Sequence, residues 1–159
     1  MTIGNNYQGG IIAYILQPGD PGYDANTTHG LIAAPTDQST GIRWYNGTNL
    51  FCGAIASQLG AGRINTGIIL DRQGAGSFAA AIASQFVLVG YDDWYLPSKD
   101  ELHKLYLNKD AIGGFANEAY WSSSEVDGTF ADYEFFSNGF QYKMEKMITS
   151  NRVRVVRSF

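Results

Sequence analysis

The final third of the chain, from Tyr120 to Phe159, constrains the fold most, because its side chains alternate with the period of two that β-strands show. Asn138-Gly139 separates two strand-like runs, and this dipeptide is the strongest short signal for a β-hairpin. A last alternating run, Arg152–Arg157, predicts one more strand, which closes the sheet. This part of the chain is therefore predicted to be antiparallel β-structure.

The two sides of the predicted hairpin differ in character. With a two-residue turn at Asn138-Gly139, one side is mostly apolar, and its opposite pairs are Ser137/Phe140, Phe135/Tyr142, Tyr133/Met144 and Ala131/Lys146. The other side is mixed and places Phe130, Asp132, Glu134 and Phe136 opposite Met147, Glu145, Lys143 and Gln141. The residues alone favour packing of the apolar side on the core. An exposed binding side is the open alternative, because Tyr and Phe supply contact area at a low entropic cost.

Two further strands and a long loop region are predicted before the middle of the chain. Gly9–Leu16 and Gly30–Ala34 are compact apolar runs rich in branched residues and are bounded by turn-forming residues. Between Pro35 and Thr66 the chain is rich in Gly, Ser, Thr and Asn around Trp44. This composition predicts a long loop region that its aromatic residues attach to the core.

Three helices are predicted in the middle of the chain. Asn65-Thr66 is expected to cap a helix over Gly67–Arg72, and Ser77 an alanine-rich helix over Phe78–Phe86. The third helix is predicted most clearly, because Ser98 and, three residues later, Glu101 form a capping box. It is expected to end near Asn108.

Length and composition predict one folded domain over residues 1–159. The chain is 45% hydrophobic and 16% charged, which is typical of a globular protein. A formal net charge of -4 argues against nucleic acid as the main ligand, because binding phosphates needs a surplus of Lys and Arg. No basic segment followed by an apolar stretch lies at the start, and no run of eighteen apolar residues occurs, so neither a signal peptide nor direct membrane insertion is expected.

Residues that could perform catalysis are sparse. His29 and His103 lie far apart in sequence and without metal-ligand spacing, and Asp92-Asp93 lacks the loop of alternating acidic residues that calcium sites use. Cys52 is the only cysteine, so neither a disulfide nor a cysteine-rich zinc site can form. The sequence therefore predicts no enzyme activity, no cofactor and no bound metal.

Five segments resemble the C-terminal domain of the bacterial collagen-like adhesins, a C-type-lectin-like family. They are Tyr7–Ile12, Gly30–Gln38, Gly90–Leu102, Tyr120–Glu125 and Arg152–Phe159. The resemblance implies an α+β, C-type-lectin-like fold with small antiparallel sheets and two or three helices. The Glu-Pro-Asn or Gln-Pro-Asp tripeptide of calcium-dependent sugar binding is absent, and so is the cysteine pair of the related formylglycine-generating enzymes.

The segment 120–159 also resembles the variable repeats of proteins that retroelements diversify. In such relatives Asn is frequent at positions like those of Thr129, Phe130, Phe135, Phe140 and Tyr142. The fixed elements resemble Ala131, Phe136–Gly139 and the closing Arg-Val-Arg run. Polar residues at the variable positions imply that the apolar side of the hairpin, including Tyr133, is exposed and that Phe136 is turned inward. The resemblance thus reverses the interpretation that the residues alone favour.

The resemblance implies a non-catalytic domain on a cell or virion surface that recognises a protein or a cell-surface glycan. Its expected contact residues are Asp127, Thr129, Phe130, Tyr133, Phe135, Phe140, Tyr142 and Met144. One alternative is an adhesin module for sulfated polysaccharides, which would use a basic stripe of Lys143, Lys146, Arg152, Arg154 and Arg157. A second is a structural piece of a tail fibre or pilus tip, which would assemble as a homotrimer.

Overall fold

The computed structural model describes all residues from Met1 to Phe159. Its strands are β1 (Asn6–Tyr7), β2 (Gly10–Ile15), β3 (Gly30–Ala33), β4 (Ala119–Glu125), β5 (Phe130–Phe135), β6 (Gln141–Glu145) and β7 (Val156–Ser158). Its helices are α1 (Gly62–Gln73), α2 (Ala79–Ser84), α3 (Lys99–Leu107) and α4 (Lys109–Ile112). The predicted α+β architecture is confirmed, with four helices instead of two or three.

Two small antiparallel sheets organise the chain. The first has the strand order β1-β2-β3-β7, and the second has the order β4-β5-β6. Of the predicted last strand, Arg152–Arg157, only the end forms: β7 covers Val156–Ser158, and it pairs with β3 in the first sheet and not with the hairpin. Its preceding residues connect the two sheets, because Arg152 forms a parallel bridge with Tyr120 of β4.

The helix boundaries show which local signals were decisive. Ser98 caps α3 and Glu101 completes the capping box, as predicted. Helix α1 begins at Gly62, before the predicted cap. Asn65 and Thr66 therefore lie inside the helix, where their side chains bind backbone carbonyl groups. The Asn65 side chain donates to the Ala56 carbonyl at 2.6 Å, and Thr66 Oγ1 donates to the Gly62 carbonyl at 2.8 Å.

Helices α2 and α4 also differ from the sequence expectation. Helix α2 begins at Ala79 after Phe78, and no side chain caps it, so the predicted cap at Ser77 is wrong. Helix α4 is a single turn that follows α3 directly after Asn108. One turn is too short to show a helical period of its own, which explains why the sequence pattern did not reveal it.

Two tryptophans attach the long loop region to the second sheet. Trp44 and Trp121 are both fully buried. The indole of Trp44 donates to the Ser122 carbonyl at 2.8 Å, and the indole of Trp121 donates to the Ile42 carbonyl at 2.7 Å. The predicted attachment of this loop region by its aromatic residues is confirmed.

The hairpin of β5 and β6 forms, but its turn is longer than predicted. Tyr133 lies opposite Tyr142 and Ala131 opposite Met144, which shifts the predicted pairing by two residues. The loop has four residues, since the Phe135 N–H donates to the Phe140 carbonyl at 2.9 Å. Gly139 occupies its left-handed position, with φ of 75°. A side chain at Gly139 would collide with the ring of Tyr106, so packing against α3 fixes this longer loop.

Candidate functional site

The apolar side of the hairpin is divided between the core and the solvent. Ala131 and Tyr133 on β5 are buried in the core, whereas Phe140 is 54% exposed and Tyr142, on β6, is 57% exposed. A two-residue shift keeps every side chain on its predicted side, so the error in register did not cause this division. The inferred exposure is correct for Phe140 and Tyr142 and wrong for Tyr133. Strand β6 is the outer strand of the sheet and therefore extends past the core.

Phe140 and Tyr142 form an adjacent pair at the free end of the hairpin. Their ring centroids are 6.1 Å apart, and the ring planes are inclined by 30°. Asn138 supports the pair from the turn, because its side-chain oxygen accepts a hydrogen bond from the Phe140 N–H at 3.0 Å. We call Phe140 and Tyr142 the aromatic pair.

Phe136 is turned inward, as the resemblance implied. Its side chain is fully buried. Its ring centroid lies 4.5 Å from that of Tyr120, 4.6 Å from that of Phe115 and 5.7 Å from that of Tyr106. The turn is thus held by one buried aromatic residue next to an exposed aromatic pair.

The remaining predicted contact residues lie elsewhere on the hairpin. Phe135 and Met144 are partly buried against the core. At the opposite end of the hairpin, Asp127 Oδ1 accepts hydrogen bonds from the N–H groups of Thr129 at 2.8 Å and Phe130 at 2.9 Å. These two bonds lower the pKa of the Asp127 carboxyl. Among the eight predicted residues, only Phe140 and Tyr142 are exposed, and the structure brings these two together.

A groove of about 640 Å³ lies next to the aromatic pair on the mixed side of the hairpin. Its lining comprises Ile55, Ser57, Lys99, Asp100, Glu125, Val126, Asp132, Gln141, Tyr142 and Lys143. Lys99 Nζ lies 3.4 Å from Asp132 Oδ1, and the Gln141 amide donates to the Lys99 carbonyl at 3.1 Å. Burial raises the pKa of Asp132, which the Lys99 ammonium opposes. Local sequence signals could not reveal the groove, because its walls come from five separate segments of the chain.

Helix α3 holds the mixed side of the hairpin through a second polar contact. His103 Nδ1 lies 2.8 Å from Glu134 Oε1, and Gln141 donates to the other Glu134 oxygen at 3.0 Å. The Glu134 side chain is fully buried, and burial raises its pKa, which the hydrogen bond to His103 opposes. The predicted cross-strand pair of Glu134 with Lys143 is wrong, since Lys143 lies opposite Asp132.

The predicted basic stripe does not form on the surface. Arg154 is fully buried, and its Nε donates to Asp37 Oδ1 at 2.7 Å. Arg152 binds the other oxygen of Asp37 at 3.1 Å. Arg157 is 6% exposed and its Nε donates to Asp93 Oδ1 at 2.6 Å. Arg152, Arg154 and Arg157 therefore form structural ion pairs with Asp37 and Asp93. Lys143 is the only residue of the predicted stripe that is exposed, which leaves the polysaccharide alternative with a single exposed cation.

The contact between Arg157 and Asp93 predicts an acid-sensitive contribution to stability. Hydrogen bonds from Arg157 lower the pKa of Asp93 below its ordinary value of 3.8. Stability from this pair is therefore present above pH 3.8 and is lost as the pH falls through the lower pKa of the folded state. Replacing Asp93 by Asn is expected to lower the free energy of unfolding at pH 7 by about 1.5–3 kcal/mol.

Urea unfolding of both proteins between about pH 7 and pH 2 tests this prediction. The difference between wild type and Asp93→Asn should shrink toward the acidic end. Asp92→Asn, one residue earlier, is the matched control. A difference that stays constant with pH would contradict the assignment.

Lys146, the other lysine of the predicted stripe, lies inside the protein beneath the hairpin. Its ammonium lies 2.5 Å from Glu125 Oε1, 3.1 Å from the Leu50 carbonyl and 3.2 Å from the Gly128 carbonyl, and both charged side chains are fully buried. It also lies 4.7 Å from the centroid of the Trp44 ring. We call Lys146 and Glu125 the buried ion pair.

The carboxylate of the buried ion pair also organises the neighbouring loop. Glu125 accepts hydrogen bonds from the backbone N–H groups of Cys52 at 2.9 Å, Gly53 at 2.7 Å and Ala54 at 3.3 Å. Strand β4, the loop over residues 50–54 and the residue that follows β6 therefore meet at one charge pair. This attachment fixes one wall of the groove and the base of the hairpin.

The remaining candidate chemical groups are dispersed. His29 Nδ1 lies 3.2 Å from the Phe159 carbonyl, and Cys52 is buried, which raises the pKa of its thiol. No group of three or more His, Cys, Asp or Glu side chains is placed to hold a metal ion. None of the four helices has the length and apolar character needed to cross a membrane.

The two small antiparallel sheets, the tryptophan-attached loop region and the C-terminal hairpin define a C-type-lectin-like ligand-binding module. Residues 34–157 match the model of the Lcl C-terminal domain family. The match covers most of the chain, so the protein belongs to the Lcl C-terminal domain family, which indicates an adhesin-like or ligand-binding module. A search of the curated proteins found no match.

Proposed function

We propose that this domain is a non-catalytic module that binds a protein or glycan on a cell surface through its aromatic pair. The observation that carries the proposal is the exposure of Phe140 and Tyr142, 54% and 57%, while Ala131 and Tyr133 on the same side of the hairpin are buried. Adjacent exposed aromatic rings are an aggregation liability unless a partner covers them. Aromatic residues also supply most of the binding energy in many interfaces.

We also propose that a retroelement diversifies the hairpin. Two observations support this proposal. The positions that resemble variable ones, Thr129, Phe130, Phe135, Phe140 and Tyr142, are all partly or largely exposed. By contrast, two positions that resemble fixed ones, Ala131 and Phe136, are fully buried, and Gly139 has no room for a side chain. Substitution would therefore alter the surface and spare the scaffold.

The groove next to the aromatic pair would supply polar contacts to the same ligand. Lys143, on its rim, is exposed, and its ammonium lies 4.8 Å from the centroid of the Phe130 ring. Two lysines and three carboxylates line the groove, and one of the carboxylates, Glu125, is paired with the buried Lys146, so the remaining charges balance. The net charge of -4 and the internal position of Arg154 and Arg157 make nucleic acid an unsuitable partner. In this proposal the domain acts on the surface of a cell or virion.

The double substitution Phe140→Ala/Tyr142→Ala tests the binding proposal. Screening the labelled wild-type domain against a glycan array and a library of displayed cell-surface proteins would first identify a ligand. The double variant should bind that ligand at least about 100-fold more weakly, because each residue is expected to contribute about 2 kcal/mol or more. Its free energy of unfolding should change by no more than about 1 kcal/mol.

Tyr23→Ala is the matched control, since Tyr23 is also exposed, at 39%, and lies in the loop between β2 and β3. Its affinity should equal that of the wild type. Unchanged affinity of the double variant would refute the proposal. Sequencing the surrounding genome tests the diversification proposal separately, by the presence of a reverse transcriptase and a near-copy of the segment encoding Trp121–Phe159.

A further inference from the structure

The outer edge of β6 is free to pair with another strand. Strand β6 is last in the order β4-β5-β6, so only one of its edges is paired. Free edges expose rows of unpaired backbone N–H and C=O groups. Natural edges are shielded by charges, bulges or a covering segment; β6 has no bulge, and its two charged residues, Lys143 and Glu145, are of opposite sign and restrict the registers in which the edge can pair.

The pattern of hydrogen bonds between β5 and β6 determines which backbone groups of β6 point to its free edge. The Phe135 N–H bonds to the Phe140 carbonyl, and the Lys146 N–H bonds to the Thr129 carbonyl at 2.9 Å. Antiparallel strands alternate between hydrogen-bonded and non-hydrogen-bonded pairs. Residues 140, 142, 144 and 146 therefore bond to β5, and the N–H and C=O groups of Gln141 and Lys143 point to the free edge.

Self-pairing of this edge in antiparallel orientation has one favourable register. Gln141 opposite Lys143 of a second copy lets both outward-pointing residues exchange hydrogen bonds and places Tyr142 opposite Tyr142. The same register places Phe140 opposite Met144, so the apolar side chains of both strands line up on one side. The register that places Lys143 opposite itself sets like charges against each other and is disfavoured. Pairing Lys143 with Glu145 is also disfavoured, because the Glu145 carbonyl already bonds to the Ile148 N–H at 3.1 Å.

We propose that two copies of this chain associate through β6 in the Gln141/Lys143 register and form a continuous antiparallel sheet with three strands from each copy. The contact is self-complementary, as a two-fold symmetric dimer requires. It partly covers Phe140 and Tyr142, which are among the most exposed aromatic side chains of the domain. The proposal goes beyond ligand binding and does not depend on it, since association needs no ligand.

Single cysteine substitutions test both the dimer and its register. In the proposed register the two Tyr142 residues form a non-hydrogen-bonded pair with Cα atoms about 4.5 Å apart, within disulfide range. Tyr142→Cys should therefore yield a disulfide-linked dimer under mild oxidation. Lys143→Cys, one residue later on the same exposed strand, is the matched control and should remain mostly monomeric. The native Cys52 is buried, so the wild type provides the background level.

Sedimentation of the wild-type chain without ligand measures the association itself. Because the contact consists of one pair of five-residue strands, we expect a weak dimer, with a dissociation constant of roughly 10 μM to 1 mM. Tyr142→Asp should abolish it, because two carboxylates would face each other across the pair. A wild-type chain that stays monomeric up to about 1 mM, a trimer, or equal cross-linking of the two cysteine variants would overturn the proposal. A monomeric result would leave the proposed ligand binding standing, because the aromatic pair would stay free, whereas a dimer would compete with the ligand for Phe140 and Tyr142.

Discussion

Replacing Lys146 by methionine is expected to lower the free energy of unfolding by about 3–5 kcal/mol. The substitution removes the ammonium but leaves the Glu125 carboxylate buried without a cation. Breaking a buried ion pair on one side is costly because the remaining charge has lost both its solvent and its partner. Urea unfolding with linear extrapolation measures the difference.

Two further variants make this prediction specific. Lys143→Met changes the same residue type three positions earlier, at an exposed site, and should alter the free energy of unfolding by less than about 0.5 kcal/mol. The double variant Lys146→Met/Glu125→Gln should recover part of the loss, because no unpaired charge remains. A loss below about 1 kcal/mol for Lys146→Met would show that the pair adds little to stability.

Replacing Phe136 by alanine is expected to lower the free energy of unfolding by about 3–5 kcal/mol, the usual range for truncating a buried phenylalanine. The side chain is fully buried and contacts the rings of Phe115 and Tyr120. Its removal leaves a cavity that these large rings cannot close without moving the turn. Thermal and urea unfolding both measure the effect.

Phe140→Ala is the matched control for this prediction, because it removes the same side chain on the other side of the same turn. Phe140 is 54% exposed, so its replacement should cost less than about 1 kcal/mol. Equal losses for the two variants would show that the aromatic pair contributes to the core.

The residues alone predicted the elements whose signals are local. The capping box at Ser98 and Glu101 needs only four consecutive residues, and it is present as predicted. The strands β2 and β3 also follow from short apolar runs. The turn length of the hairpin did not follow, because Tyr106 of α3 leaves no room for a side chain at Gly139. That contact joins residues far apart in the chain.

Burial of charged residues was the least predictable feature of the candidate site. In the sequence, the cations Lys146, Arg154 and Arg157 form a cluster that is typical of a basic surface. Their carboxylate partners, Glu125, Asp37 and Asp93, lie far from them in the sequence. Only the folded chain reveals these pairs. The alternation of the hairpin correctly assigned side chains to its two sides, but it could not show that β6 extends past the edge of the core.

The ammonium of Lys146 is a covalent part of the chain, so it cannot dissociate, be diluted away or be removed by a chelating agent. The loop over residues 50–54 is therefore attached to the base of the hairpin through groups that belong to the chain itself. Changes in the salt or mineral content of the surroundings should leave this attachment intact.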